Sequence, residues 1–156
     1  MCRDIGAVTE KDMSDKKKLT RREARELAFK LIFAKEFDPE ADTTEFYDKY
    51  IENTESLTNS YVYSTFSGVC EAKSELDAEI EGASSSWKIS RMSTTTRSIL
   101  RLAVFELTRT ETPAKVVINE AVEIIKLYDD QNAPSFVNGI LNNIARSRGL
   151  ISDEQG

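Results

Sequence analysis

No stretch limits the possible folds more than Thr20 to Phe37, TRREARELAFKLIFAKEF, because its apolar residues recur with a helical period and leave one face that must be covered. Ala24, Leu27, Ala28, Leu31 and Ile32 fall at i, i+3, i+4, i+7 and i+8, a stripe wide enough to demand a partner surface. Thr20 and Glu23 have the S/T-x-x-E spacing of a capping box, so the helix start is well marked. Arg21, Arg22 and Arg25 cluster just behind that start. Like positive charges there sit at the positive end of the helix dipole, which is mildly unfavourable. That placement predicts an external anion.

A chain of 156 residues suits one domain and is long enough to bury a substantial core. No apolar tract approaches the length of a membrane span, and Met1 to Lys18 lacks the apolar core of a secretory leader, so a cytoplasmic setting is expected. The absence of histidine removes Ser-His-Asp and Cys-His catalysis together with histidine metal ligation. Cys2 and Cys70 are far apart and lack companions at metal spacing, which predicts a tail thiol and a buried small hydrophobe. Neither a metal nor a cofactor is expected.

The net charge of −6 is unevenly distributed. Residues 16–30 hold seven basic side chains (Lys16, Lys17, Lys18, Arg21, Arg22, Arg25 and Lys30) against Glu23 and Glu26, a local charge of +5 that leaves −11 for the rest. A basic end on an acidic body can steer a polyanion while the body discourages indiscriminate binding. A solvated tail and helix end is the plainer alternative.

The remaining pattern is helical. Residues 1–19 read as a flexible extension, and Asp38-Pro39 ends the first helix. Thr43 or Thr44 can cap a second helix carrying Phe46, Tyr47, Tyr50 and Ile51. A third is predicted as one piece over Ser60 to Ala83. The Ser-rich run after Gly82 marks the boundary between an N-terminal lobe, 20–83, and a C-terminal lobe, 84–148, with 149–156 as a tail. Trp87 and Ile89 begin the second lobe in a short helical turn. Arg97 to Arg109 is apolar nearly all round and should be central. Thr112-Pro113 and Pro134 open two further helices. Gly139 costs helix stability, which points to close helix contact as its purpose. The expected fold is all-α, about seven helices in two small bundles packed into one compact domain.

The segment RSILRLAVFELTRTETPAKVVINEAVEIIKLYDDQNAPSFVNGILNNIAR resembles the carboxy-terminal half of the NusB family of transcription antitermination factors. The I-L-R-x-A-x-x-E run at Ile99 to Glu106, V-I-N-E-A-V-E at Val117 to Glu123 and F-V-N-G-I-L at Phe136 to Leu141 stand in family order, and TRREARELAFKLIF resembles the family's first helix. The resemblance covers about Thr20 to Arg146. It implies a non-enzymatic protein that binds boxA-type RNA of ribosomal RNA operons. It further implies the partner NusE, a protein of the small ribosomal subunit, and action within an RNA polymerase antitermination complex.

Residue by residue, the resemblance maps the family's arginine-rich helix start onto Arg21, Arg22 and Arg25, with Lys30 in the same basic stretch. It places Asn132 and Phe136 near RNA, and Phe33 and Thr96 at the NusE contact. Family members often carry an acid where this chain has Asn132 and Thr96, and a tyrosine at Phe33. Asparagine reduces repulsion of phosphate, so RNA binding should be retained or tightened, whereas the changes at Thr96 and Phe33 remove polar contacts toward the protein partner. A homodimeric helical interaction module without specific RNA binding is the alternative, and RNA methyl transfer, known where such a domain is fused to a methyltransferase, is a second. Glu106, Asn119 and Glu120, inside otherwise apolar helices, should tie helices together by hydrogen bonds, and Asp129-Asp130 should form a solvated loop.

Overall fold

A computed structural model describes residues 17–52, 56–57, 60–85 and 87–152. Cys2, Lys16 and most of the extension and tail therefore lie outside the described residues. Seven α-helices make up the described fold: α1 (Arg21–Lys35), α2 (Thr43–Glu52), α3 (Ser60–Glu71), α4 (Lys73–Ala83), α5 (Thr94–Arg109), α6 (Ala114–Tyr128) and α7 (Ala133–Ser147), with a 3-10 turn at Ile89–Arg91. One short parallel pairing joins β1 (Lys17–Lys18) to β2 (Ser56–Leu57) and anchors the chain just ahead of α1. The all-α expectation holds.

The capping box forms as its spacing predicts: the Thr20 hydroxyl accepts from the Glu23 amide at 3.1 Å, and the Glu23 carboxylate accepts from the Thr20 amide at 3.0 Å. Ala24, Leu27, Ala28, Leu31 and Ile32 are all buried. Helix α5 is central, packing against α1, α3, α4, α6 and α7, and it contributes Ile99, Leu100, Leu102 and Val104 to a single apolar cluster. Contacts cross the expected lobe boundary at residue 84, since α4 lies on α5 and α7.

Two expectations change. The helix predicted over Ser60 to Ala83 breaks at Ala72, whose backbone (φ −98°, ψ 12°) leaves helical geometry. A straight helix of that length would run about 36 Å; the break lets α3 cover α1 and α2 while α4 turns onto α5 and α7. Gly139 does not mark a close helix contact, because a Cβ there would meet nothing within 4 Å. Gly68 does: a Cβ on it would fall 2.5 Å from the Phe105 ring, so α3 and α5 approach where only glycine leaves room.

Candidate nucleic-acid interface

The arginines at the start of α1 separate into distinct environments. Arg25 is 4% exposed and donates from Nε and Nη2 to the Glu106 carboxylate of α5 at 2.8 and 3.1 Å. Burial lowers its pKa, but the Glu106 hydrogen bonds and charge outweigh that and hold the guanidinium above its ordinary value. Arg22 projects outward and forms a two-pronged pair with Glu120 of α6, Nε and Nη2 donating at 3.0 and 2.7 Å. The same Glu120 carboxylate lies 3.7 Å from Arg25 and is held below its usual range, chiefly by the Arg22 hydrogen bond. Arg21 is exposed, and its guanidinium carbon stands 4.3 Å from the centroid of the Tyr61 ring. Lys30 is exposed, with its ammonium 4.0 Å from Glu26 one turn back. Glu106 and Glu120 thus tie helices together as expected, through ion pairs, whereas Asn119 is exposed on the outer face of α6.

The second expected group gathers at the junction of α5, α6 and α7. Asn132 is exposed just ahead of α7, and Phe136, one turn on, meets the Trp87 indole edge to face at 6.0 Å. Trp87 is 52% exposed, unusual for so large an apolar group, and with Arg91, Asn132 and Phe136 it lines a cleft of about 260 Å³. Asp129 forms the floor. Its carboxylate accepts from the Ser93 hydroxyl at 2.6 Å, from Thr96 at 2.8 Å and from Thr95, joining the end of α6 to the start of α5. Burial pushes its pKa up, yet these hydrogen bonds, with the Asp130 amide, bring it down to about 2. Asp129 is therefore a helix-junction residue, not a solvated loop carboxylate.

The two residues expected at a protein contact are placed differently from one another. Phe33 is half-buried in a row that runs from buried Phe29 (6.5 Å between ring centroids) to Phe37 (5.2 Å), the latter 70% exposed. Thr96 is 5% exposed, and its hydroxyl points inward to Asp129. Among the described residues no cluster of His, Cys, Asp and Glu could hold a metal ion, and no helix is long and apolar enough to cross a membrane.

Trp87, Arg91 and Tyr61 were not singled out as site residues from the sequence. Trp87 had a readable signal, the chain's only tryptophan beside a Ser-rich break, but its exposure depends on how α7 closes against it. Arg25 had one too: Arg25, Ala28, Phe29 and Ile32 fall at i, i+3, i+4 and i+7, which puts this arginine on the buried face.

These helices, with an arginine-rich start on α1 and an aromatic cleft before α7, define a small all-α class of protein, and comparison with known proteins sharpens it. The NusB family model matches residues 22–146, and the chain belongs to the NusB family. It is 38% identical over 133 residues to the transcription antitermination protein NusB of Bdellovibrio bacteriovorus, covering 83% of this chain and 98% of that one. The solved structure of T. maritima NusB superposes with a TM-score of 0.72 at 33% identity, over 83% of this chain and 92% of that one. A structure described as the antitermination factors NusB and NusE in complex with double-stranded RNA matches with a TM-score of 0.68 at 26% identity, over 81% of this chain and 96% of that chain.

Proposed function

We propose that this chain is a cytoplasmic, RNA-binding antitermination factor. It takes single-stranded boxA-type RNA of ribosomal RNA operons and, with NusE, joins the RNA polymerase antitermination complex. The observation that carries the reading is the surplus of outward cations at the start of α1. Arg21 and Arg22 face solvent beside a chain segment rich in lysine, on a protein that is otherwise acidic. Arg25 supports them from within, because its donors are taken by Glu106. A relative described as NusB in complex with NusE and double-stranded RNA supports RNA and NusE as partners.

The aromatic cleft supplies the second element that single strands need, a flat surface for unpaired bases. Glu120, which meets Arg22, and Asp129, which floors the cleft, are nine residues apart on one helix and its cap, about 14 Å of rise. An extended strand can engage both ends. Asn132 at the cleft mouth adds amide donors and acceptors without a negative charge, and Lys30 adds attraction between the ends. On the protein side, Phe33 and exposed Phe37 offer a ring surface to NusE, while Thr96 acts through the capped start of α5. The task is binding, not catalysis.

A labelled single-stranded boxA-type RNA titrated at stepped salt concentrations tests the reading. Neutralising about three to five phosphates predicts a slope of log affinity against log salt of about −2 to −3.5. Replacing Arg21 and Arg22 by alanine should weaken binding with the fold intact by circular dichroism. Unchanged affinity in that variant, or equal preference for a duplex of the same sequence, would sink it. Sedimentation with and without NusE separates the complex from a homodimer that ignores RNA.

A further inference from the structure

We propose that Arg21 serves as a stacking platform for one unpaired base, with Tyr61 as the positioning residue beneath it. The proposal rests on the RNA reading above and assigns within it a role that charge alone does not describe. Arg21 and Arg22 are neighbours in sequence, but they are fixed in different ways. Arg22 is gripped at two of its nitrogens by a carboxylate, which leaves its outer edge for an anion. Arg21 is set over an aromatic face, its guanidinium carbon 4.3 Å from the Tyr61 centroid. A guanidinium held over a ring presents its other planar face outward, and Arg21 is exposed. Guanidinium planes, like aromatic rings, accept stacked bases.

The ring below is itself confined. Tyr61 opens the first turn of α3, and the buried Arg25, locked to Glu106, has its guanidinium carbon 5.7 Å from the same ring. The Tyr61 hydroxyl is buried near the Glu106 carboxylate and the Arg25 guanidinium, and among the described residues none gives it a hydrogen bond of good geometry. Burial, with the negative Glu106 nearby, pushes the phenol well above its ordinary range. A buried hydroxyl without a well-formed hydrogen bond is unfavourable, so the polar end is not what recommends tyrosine here. The useful part is the face, and the stack runs from Tyr61 through Arg21 to the base.

The test separates charge from plane. Arg21→Lys keeps the positive charge and loses the plane, and lysine does not replace arginine at stacked sites. With a boxA-type single-stranded RNA we expect R21K to bind about five- to tenfold more weakly, in line with measured base-stacking contributions, with the salt slope unchanged. Tyr61→Phe should bind like the unsubstituted protein and Tyr61→Leu like R21K, each with melting curves recorded to show a folded chain. A 2-aminopurine scanned along the RNA should find a position whose fluorescence responds to the unsubstituted protein and Y61F but not to R21K. Binding by R21K within about twofold of the unsubstituted protein, or a shallower slope for R21K, overturns the stacking role and leaves the RNA reading standing. Failure of the unsubstituted protein to bind the RNA at all overturns both.

Discussion

At its N-terminal end α1 presents arginines to acids on α5 and α6, whereas at its C-terminal end it presents Glu36 to arginines on α5. The helices run antiparallel, so each end of α1 meets the opposite end of α5. The C-terminal set is balanced: Arg97 donates to Glu36 at 3.0 Å, and Arg101 is shared between Glu36 and Asp77, the latter at 2.7 and 3.0 Å. The N-terminal set is not. Among the described residues Glu106 and Glu120 answer Arg25 and Arg22, and Arg21 lies over an aromatic ring. A balanced charge cluster joins helices, whereas one with cations in surplus joins helices and still attracts a polyanion. Arg21 and Arg22 at the start of α1 and Glu36 at its end stand where the helix dipole disfavours them, so cross-helix contacts, not intrahelical preference, account for their positions.

The largest expected effect lies at the buried pair. Glu106→Ala leaves the buried Arg25 guanidinium without its two hydrogen bonds, with only Glu120 at 3.7 Å, and should destabilise the fold by about 3–5 kcal/mol in chemical denaturation; a loss under about 1 kcal/mol would show that this end does not lock α1 to α5. Between the ends, Leu102→Ala, at a side chain only 1% exposed, should cost about 2–5 kcal/mol by the same measurement.

The balanced end predicts a pH effect. Burial pushes Glu36 up, but hydrogen bonds and charge from Arg97 and Arg101 hold it down to about 2 from an ordinary 4.5. Because the folded value is depressed, the stabilisation is present above pH 4.5 and disappears as the pH falls toward 2. Melting temperature should decline over that window, and Glu36→Gln should flatten part of the decline. An identical acid limb in both proteins would remove Glu36 from the account. Smallest in stability is Arg22→Ala, on the surface, which should melt like the parent while binding RNA more weakly with a shallower salt slope. Loss of fold in this variant would erase the contrast between inner and outer arginines.

Much of the fold was legible because periodicity and caps are local. Thr20 with Glu23, the all-round apolar run of α5 and the two proline-marked starts identify helices without reference to neighbours. What escaped depends on tertiary placement. Ala72 carries no breaker signal, and its bend follows from the different surfaces α3 and α4 must cover. Gly139 and Gly68 look alike in sequence, yet only Gly68 faces a ring. At the candidate site, charge density groups Arg25 with its outward neighbours, although its spacing from Phe29 and Ile32 already places it inside. The aromatic cleft was half visible, through Phe136 and Asn132. Trp87 and Arg91 join it only when the segment around the 3-10 turn, packed on α4, comes beside Asn132 and Phe136. Asp129 looks like loop in the sequence because its three hydroxyl partners lie more than thirty residues away.

The close approach at Gly68 gives α3 a pivot. Tyr61 sits seven residues nearer the start of that helix, about 10 Å along its axis, so it lies at the far end of a lever whose bearing is the Phe105 ring. Any side chain introduced at Gly68 must displace either that ring or the helix. A small tilt there would be carried outward to the surface on which Arg21 rests, whereas the Trp87 and Phe136 cleft meets α5 only near its opposite end, at Ser93 and Thr96. A change at Gly68 would therefore reach the Arg21 surface before the cleft, from a position remote from both.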